Sequence, residues 1–392
     1  MKFFISKSNK LPAFAEVSNV KNDPWAIIFF TYIISMTALP FLSLRVIFYA
    51  FILLYILYLA VFRNVTIEVD WFLIFLIFYF VLCVILSLFN GLDLEVAVGI
   101  AESIILIVLT LIFGVNRRAI VSATILILLI SFFRSPEIIF NLKHLFIERH
   151  YDVLFVKTSH HLSFMLLIMA VYFMLLGKAK YSLLILILTI PIVSRSGLLA
   201  FSVVSILYYL RNYIPQRFIK ILPSLCILGS LVMAFGIGIF YAQDNAVIIF
   251  TKLRSLLYEV IVNDLIIRGD GMLFPQYSGY TSDVIAEQLR NYFTFETPYY
   301  PKLLESSNGN CVHATFLELL SDYGAIFFLF FLFFFYKITN FTNVYIVLFY
   351  VVFATFQCEA FTPFLLFPFY IFYYLSTRLD YHGSNIKIIA KK

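Results

Sequence analysis

The chain has 392 residues, of which 62% are hydrophobic and only 13% charged, with a formal net charge of +6. Soluble domains carry about 45–50% apolar and about 25% charged residues, so this composition excludes an ordinary water-soluble globule. The modest positive excess does not suggest nucleic acid as a partner.

The first residues, MKFFISKSNKLPAFAE, offer basic and apolar side chains and an AFA site. Their apolar stretch is short and broken by Lys7 and Lys10, so a cleaved signal peptide is not expected. Apolar runs long enough to cross a membrane then recur along the whole sequence. In the first half they cover Trp25–Ser43, Val46–Phe62, Trp71–Phe89, Leu94–Phe113, Ala119–Phe133 and Leu162–Leu176. The second half continues with a short one, Tyr181–Val193, then Gly197–Leu210, Ile221–Tyr241, His313–Tyr336, Asn343–Phe361 and Thr362–Ser376. A span must satisfy its own backbone hydrogen bonds in lipid, and no run alternates like a barrel strand, so each is expected to be a helix. The expected fold is all-α: a polytopic integral membrane bundle of about 12 transmembrane helices. It forms a single domain over residues 1–392, with a large loop at 242–312 between helices 9 and 10. No repeat of fixed period is visible.

Lys and Arg in short loops give the orientation. Lys2, Lys7, Lys10, Lys21, Arg117, Arg118, Lys178, Lys180, Arg211, Arg217 and Lys220 fall on one side, joined by Arg378, Lys387, Lys391 and Lys392 of the tail. Both termini are therefore expected to be cytoplasmic and the large loop external. Of the four cysteines, Cys83, Cys226 and Cys358 fall inside expected spans, where they behave as small hydrophobes, and Cys311 lies near the outer surface. None has metal-ligand spacing.

The external segments carry organisation of their own. EIIFNLKHLFI sets Ile138, Leu142, Leu145 and Phe146 on one face, as in a helix lying at the interface. The large loop opens with a helix-like stretch, AVIIFTKLRSLLYEVIV, followed by the turn RGDG and then by Tyr277, Tyr280, Tyr292, Tyr299 and Tyr300. Such tyrosines stack on sugar rings or form an interfacial aromatic belt, and both readings stand.

Three features could carry chemistry. In SRSG, Arg195 lies between the seventh and eighth spans, either lining a polar cavity that meets an anion or snorkelling to the interface. In LRSLLYEVIVNDLIIRGDG, Arg254 and Arg268 each offer a planar fork of donors for phosphate, or else a solvated loop cation. In HATFLELLSDYG, His313 is an imidazole, a group whose unperturbed pKa of ~6.5 suits accepting a proton from a sugar hydroxyl; otherwise it caps the helix or sits at the interface. Glu318 and Asp322 follow it, placed to orient the imidazole, to receive its proton or to face solvent. Glu102, inside the fourth span, is a functional candidate by its place; Glu95, His160 and His161 sit at helix ends. Neither an HExxH metal motif nor a GxxxxGK[ST] phosphate loop is present.

The order of SRSG, a large loop with R…GxG, and H-x10-G running into an apolar helix resembles the O-antigen polymerase and ligase superfamily. The resemblance covers residues 190–335. It implies Arg195, Arg254 and His313 as catalytic residues, with Gly324 completing the last motif. Arg268, Gly269, Gly271 and Tyr277 are the implied substrate-binding residues, and Arg268 is a second candidate for the loop arginine. Ala314 replaces the family's usual asparagine, and Phe327 stands where a small residue or tyrosine is preferred. The implied activity is a metal-independent, inverting glycosyl transfer at the outer face of the bacterial inner membrane, without a cofactor. The donor would be a glycan on undecaprenyl pyrophosphate. In a polymerase the growing chain passes to a new lipid-linked repeat unit; in a ligase it passes to lipid A–core. The phenylalanine, tyrosine and isoleucine richness and Ala314 resemble the divergent polymerases more. Implied partners are the lipid-linked oligosaccharide, membrane lipid, a chain-length regulator and a flippase. A lipid-linked oligosaccharide flippase or ion-coupled transporter is the rival class, with Glu102 on its side.

Overall fold

The computed structural model describes residues 3–5, 54, 67–90, 95–113, 120–122, 124–125, 129, 159–189, 195–240, 249–276, 280–281, 283–285, 287, 314–356 and 363–377. Helices dominate. They are α1 (Trp71–Asn90), α2 (Glu95–Phe113), α3 (Ser159–Leu175), α4 (Ala179–Thr189), α5 (Arg195–Tyr209), α6 (Gln216–Phe240) and α7 (Ile249–Arg268). A 3-10 turn, Gly269–Leu273, follows α7, and then α8 (Thr315–Ile338), α9 (Val344–Ala354) and α10 (Pro363–Thr377). The fold class is helical as expected, with one short parallel strand pair beside the helices, Phe3–Ile5 (β1) with Ile67–Val69 (β2), in which Phe3 faces Ile67.

Among the described residues three helices are long and apolar enough to cross a membrane: Trp71–Leu88, Arg217–Ile239 and Thr315–Ile338. Six others are apolar, with described stretches of 10–17 residues. The expected seventh span is one of them: its described residues form the helix Ala179–Thr189, and residues 190–193 lie outside the described residues. The expected first two spans lie largely outside the described residues, as do most of the fifth and the interfacial helix around Ile138. Large apolar side chains face outward along the long helices, among them Leu88, Val232, Leu329 and Phe333. Water would penalise such faces and hydrocarbon would not, which agrees with a helical membrane protein.

Aromatic packing sets how the helices run. Phe75 stacks on Phe334 with ring centroids 3.9 Å apart, and Tyr79 meets Tyr323 at 5.2 Å. Higher numbers on α1 thus pair with lower numbers on α8, so the two are antiparallel. Ser224 of α6, just after Pro223, donates to the Leu332 carbonyl of α8. Tyr208 near the end of α5 meets Tyr345 at the start of α9. The bundle therefore has two distinct ends. One holds the end of α5 and the starts of α1, α6 and α9, and is the basic end. The other holds the starts of α5 and α8, with α7 and its turn, and is the loop end.

Candidate functional site

The loop end is organised around a break in α8. Gly324 has φ +75° and ψ 169° inside the helix, a backbone region open essentially to glycine alone. The break leaves the half-helix Thr315–Tyr323 with terminal carbonyls that the next turn cannot reach. Two of them find partners from the preceding loop. The Ser321 carbonyl accepts from Arg268 Nη1 at 3.0 Å, and the Asp322 carbonyl accepts from the Gln276 amide at 2.8 Å. A Cβ on Gly324 would lie 2.6 Å from the Phe274 carbonyl oxygen. The glycine thus serves twice, for its dihedral and for the close passage of the loop.

Arg268, the last residue of α7, is held on several sides. Its Nη2 donates to the Ser321 hydroxyl at 3.1 Å. Its Nε lies 2.9 Å from Asp264 Oδ2, one turn back on α7. That contact is an ion pair rather than a hydrogen bond, since neither atom has a well-aligned partner. The guanidinium lies over the Tyr280 ring, 4.8 Å from its centroid. Tyr280 in turn donates its hydroxyl to Asp264 Oδ1 at 2.9 Å. Burial, and then the hydrogen bond to Asp264, push the Tyr280 phenol up to about 12. Gly269, with φ +54°, and Gly271 form the turn that carries the chain from α7 toward α8.

The acids of α8 do not face solvent. Asp322 is buried, and its Oδ1 accepts both the amide of Thr281, at 2.8 Å, and that residue's hydroxyl. Glu318, one turn earlier, keeps an enclosed Oε2 with no hydrogen-bond partner among the described residues. Asp264, Thr281 and Ser321 carry no motif, and Tyr280 stands in the sequence only among the loop tyrosines, yet they form the polar contacts that join loop to helix. The i,i+4 spacing of Asp264 and Arg268 was a legible signal for one of them.

Both departures from the resembled family have a place in the packing. Ala314 caps α8 without a side-chain acceptor, and only its carbonyl serves the Leu317 and Glu318 amides. Phe327 is buried among Phe75, Phe78, Tyr79 and Tyr323. A small residue there would leave a void in that aromatic slot. Next to it, the Cys83 thiol contacts the Tyr323 hydroxyl at 3.3 Å.

Arg195 opens α5, so its backbone lies at the loop end. Arg254 lies in the second turn of α7, which packs tightly on α6: a Cβ on Gly238 would sit 3.0 Å from the Tyr258 carbonyl oxygen. His313 and Tyr277 lie outside the described residues; His313 directly precedes Ala314, the cap of α8. The structure thus brings Arg268, Leu273, Phe274 and Gln276 against Ser321–Gly324, with Gly269 and Gly271 in the turn between them. Arg195 and Arg254 are placed by backbone only. Among the described residues no group of three His, Cys, Asp or Glu side chains could hold a metal ion. Compared with family models, curated proteins and solved structures, the chain shows no match to any of them.

Proposed function

We propose that the chain is a surface-polysaccharide polymerase of the O-antigen type, embedded in the bacterial inner membrane by about 12 helices. Its termini are cytoplasmic and its loop end is periplasmic. The observation that supports this reading most is the meeting of two motif elements 53 residues apart, Arg268 of the RGDG turn and Ser321 of the H-x10-G helix. A turn and a helix start locked together at one end of an apolar bundle suit a reaction at the membrane surface.

In this reading the donor is a glycan on undecaprenyl pyrophosphate and the acceptor a sugar hydroxyl of a new lipid-linked repeat unit. The acceptor oxygen bonds to the anomeric carbon as the bond from that carbon to the pyrophosphate oxygen breaks. His313 takes the hydroxyl proton, and arginines hold the departing pyrophosphate. Arg268 has already committed donors to Ser321 and a charge to Asp264. Arg254 and Arg195 therefore carry most of the anion binding, while Arg268, Gly269, Gly271 and Tyr277 shape the substrate side. One observation favours a lipid-linked oligosaccharide transporter instead: Glu102 is buried, 3% exposed, inside α2.

The test is complementation of a polymerase-deficient strain carrying the matching sugar cluster, read as the lipopolysaccharide ladder. Wild type is expected to restore the ladder, and His313→Ala or Arg254→Ala at equal membrane abundance to leave a single core-plus-one-unit band. Loss of all glycan on the core, with carrier-linked polymer accumulating, would make the chain a ligase. Repeat units trapped on the cytoplasmic side would make it a transporter. An intact ladder in both variants would remove the site assignment.

A further inference from the structure

The basic end carries a feature that the proposed transferase does not use. The α5–α6 connection and the start of α6 bring Arg211, Arg217 and Lys220; the end of α8 brings Lys337. The α8–α9 turn is fixed by its own side chains. Asn343 Nδ2 donates to the Ile338 carbonyl at 2.8 Å, and the Asn343 amide donates to Asn340 Oδ1 at 2.9 Å. That turn directly follows Lys337, whose neighbour Tyr336 carries Lys220 of α6 on its ring.

None of these four cations is ion-paired among the described residues. Three of them rest on aromatic rings, and Arg217 is exposed. Arg211 sits 4.0 Å from the Tyr208 centroid, Lys220 4.6 Å from Tyr336, and Lys337 5.2 Å from Phe333. No Asp or Glu occurs in residues 205–224 or 333–348. At this end Asp70 is already engaged, by the Leu73 amide and the Tyr370 hydroxyl. A ring face orients a cation without neutralising it, so most of its N–H donors stay available. The N-terminal turn of α6, which contains Arg217 and Lys220, adds the positive end of a long helix dipole.

The surroundings decide what kind of anion fits. Beside the cations, Tyr213 is 84% exposed, Tyr209 67%, Phe218 50% and Phe341 50%. A free phosphate or a soluble polyanion has no use for these rings. An amphiphile does, because its headgroup meets the cations while its chains meet the aromatics. We propose that the basic end is a binding site for anionic phospholipid, with Arg211, Arg217, Lys220 and Lys337 on the headgroup phosphate and Tyr213, Phe218 and Phe341 against the acyl region. This inference rests on the membrane-protein reading alone and is independent of the polymerase assignment.

The test uses the full chain, purified lipid-free in a neutral detergent, with binding followed by native mass spectrometry. The probes are phosphatidylglycerol, phosphatidylethanolamine and inorganic phosphate. Wild type is expected to retain phosphatidylglycerol well above phosphatidylethanolamine, to ignore inorganic phosphate, and to bind less as salt rises. Each charge removed, beginning with the exposed Arg217→Gln, is expected to weaken phosphatidylglycerol binding roughly fivefold. The combined Arg211→Gln, Arg217→Gln, Lys220→Gln and Lys337→Gln variant should abolish the preference. Equal retention of the two lipids, or salt-independent binding, would overturn the proposal. So would Arg217→Gln, Lys220→Gln and Lys337→Gln each leaving affinity unchanged. Competition by inorganic phosphate at lipid-like concentration would replace the lipid with a soluble anion and overturn it as well.

Discussion

The two ends of the bundle are held by different chemistry. At the loop end, Arg268, Asp264, Tyr280, Ser321, Asp322 and Thr281 close on one another through directional bonds. At the basic end, cations lie on ring faces and keep their charge outward. Directional bonds between partly buried groups demand one geometry and penalise any loss, because each partner left behind is desolvated and unmatched. Cation–ring contacts are shallow and tolerant. The loop end is thus built to hold a shape, and the basic end to present charge.

Substitutions should separate the two in graded fashion. Gly324→Ala is expected to be the most damaging, by about 3 kcal/mol or more, since it forces an alanine into glycine-only backbone and against the Phe274 carbonyl. The yield of monodisperse protein and its thermal midpoint in detergent would show this; a wild-type midpoint would mean that the α8 break is dispensable. Arg268→Ala comes next, at about 2 kcal/mol, because Asp264 and Ser321 lose their partner in a half-buried setting. Arg268→Lys should recover little of that loss, since an ammonium cannot make the same forked contacts. Equal stability of the Lys variant and wild type would reduce the Arg268 contact to simple charge.

A third measurement is a pH series. Asp70 caps α1, with the Leu73 amide on Oδ1 and the Tyr370 hydroxyl on Oδ2. Burial outweighs these bonds and raises its carboxyl from 3.8 to about 6. The folded state therefore holds a proton that the unfolded chain has already released between those values. This contribution to stability is complete below pH 3.8 and is lost as pH rises through about 6. Asp70→Asn should flatten that slope in the thermal midpoint, and an unchanged slope would assign it to another group. The smallest effect is expected from Lys220→Gln, at about 0.5–1 kcal/mol or less, for one cation–ring contact. A loss as large as that of Arg268→Ala would erase the contrast between the ends.

Much of the helical framework was legible because apolar runs announce helices. Expected Trp71–Phe89 became Trp71–Asn90, and expected Thr362–Ser376 became Pro363–Thr377. Apolarity reports burial and lipid exposure alike, however, so it does not say which face of a span turns inward: on α1, Phe75 is buried and Phe78 exposed. In the candidate site, Gly324 and the RGDG turn could be picked out because glycine has a backbone meaning. Of the partners of Arg268, Asp264 is marked by its i,i+4 spacing, but Ser321 is not, since it lies 53 residues away and nothing local marks a serine as an acceptor. For Glu318 and Asp322 the sequence leaves open orienting the imidazole, receiving its proton or facing solvent; the structure shows Asp322 buried against Thr281 of the loop and Glu318 with an enclosed Oε2.

The break at Gly324 makes α8 two rods with a joint between them. The joint is pinned by the passing loop, so the upper rod, Thr315–Tyr323, has a fixed origin from which rotation can be counted. Each residue in a helix turns the chain by about 100°. Inserting or deleting one residue in that rod would leave its apolar character intact, yet swing whatever precedes Thr315 to another side of the bundle. The interval ending at Gly324 therefore works as a dial as much as a distance, and its length can matter even where the individual residues within it are exchangeable.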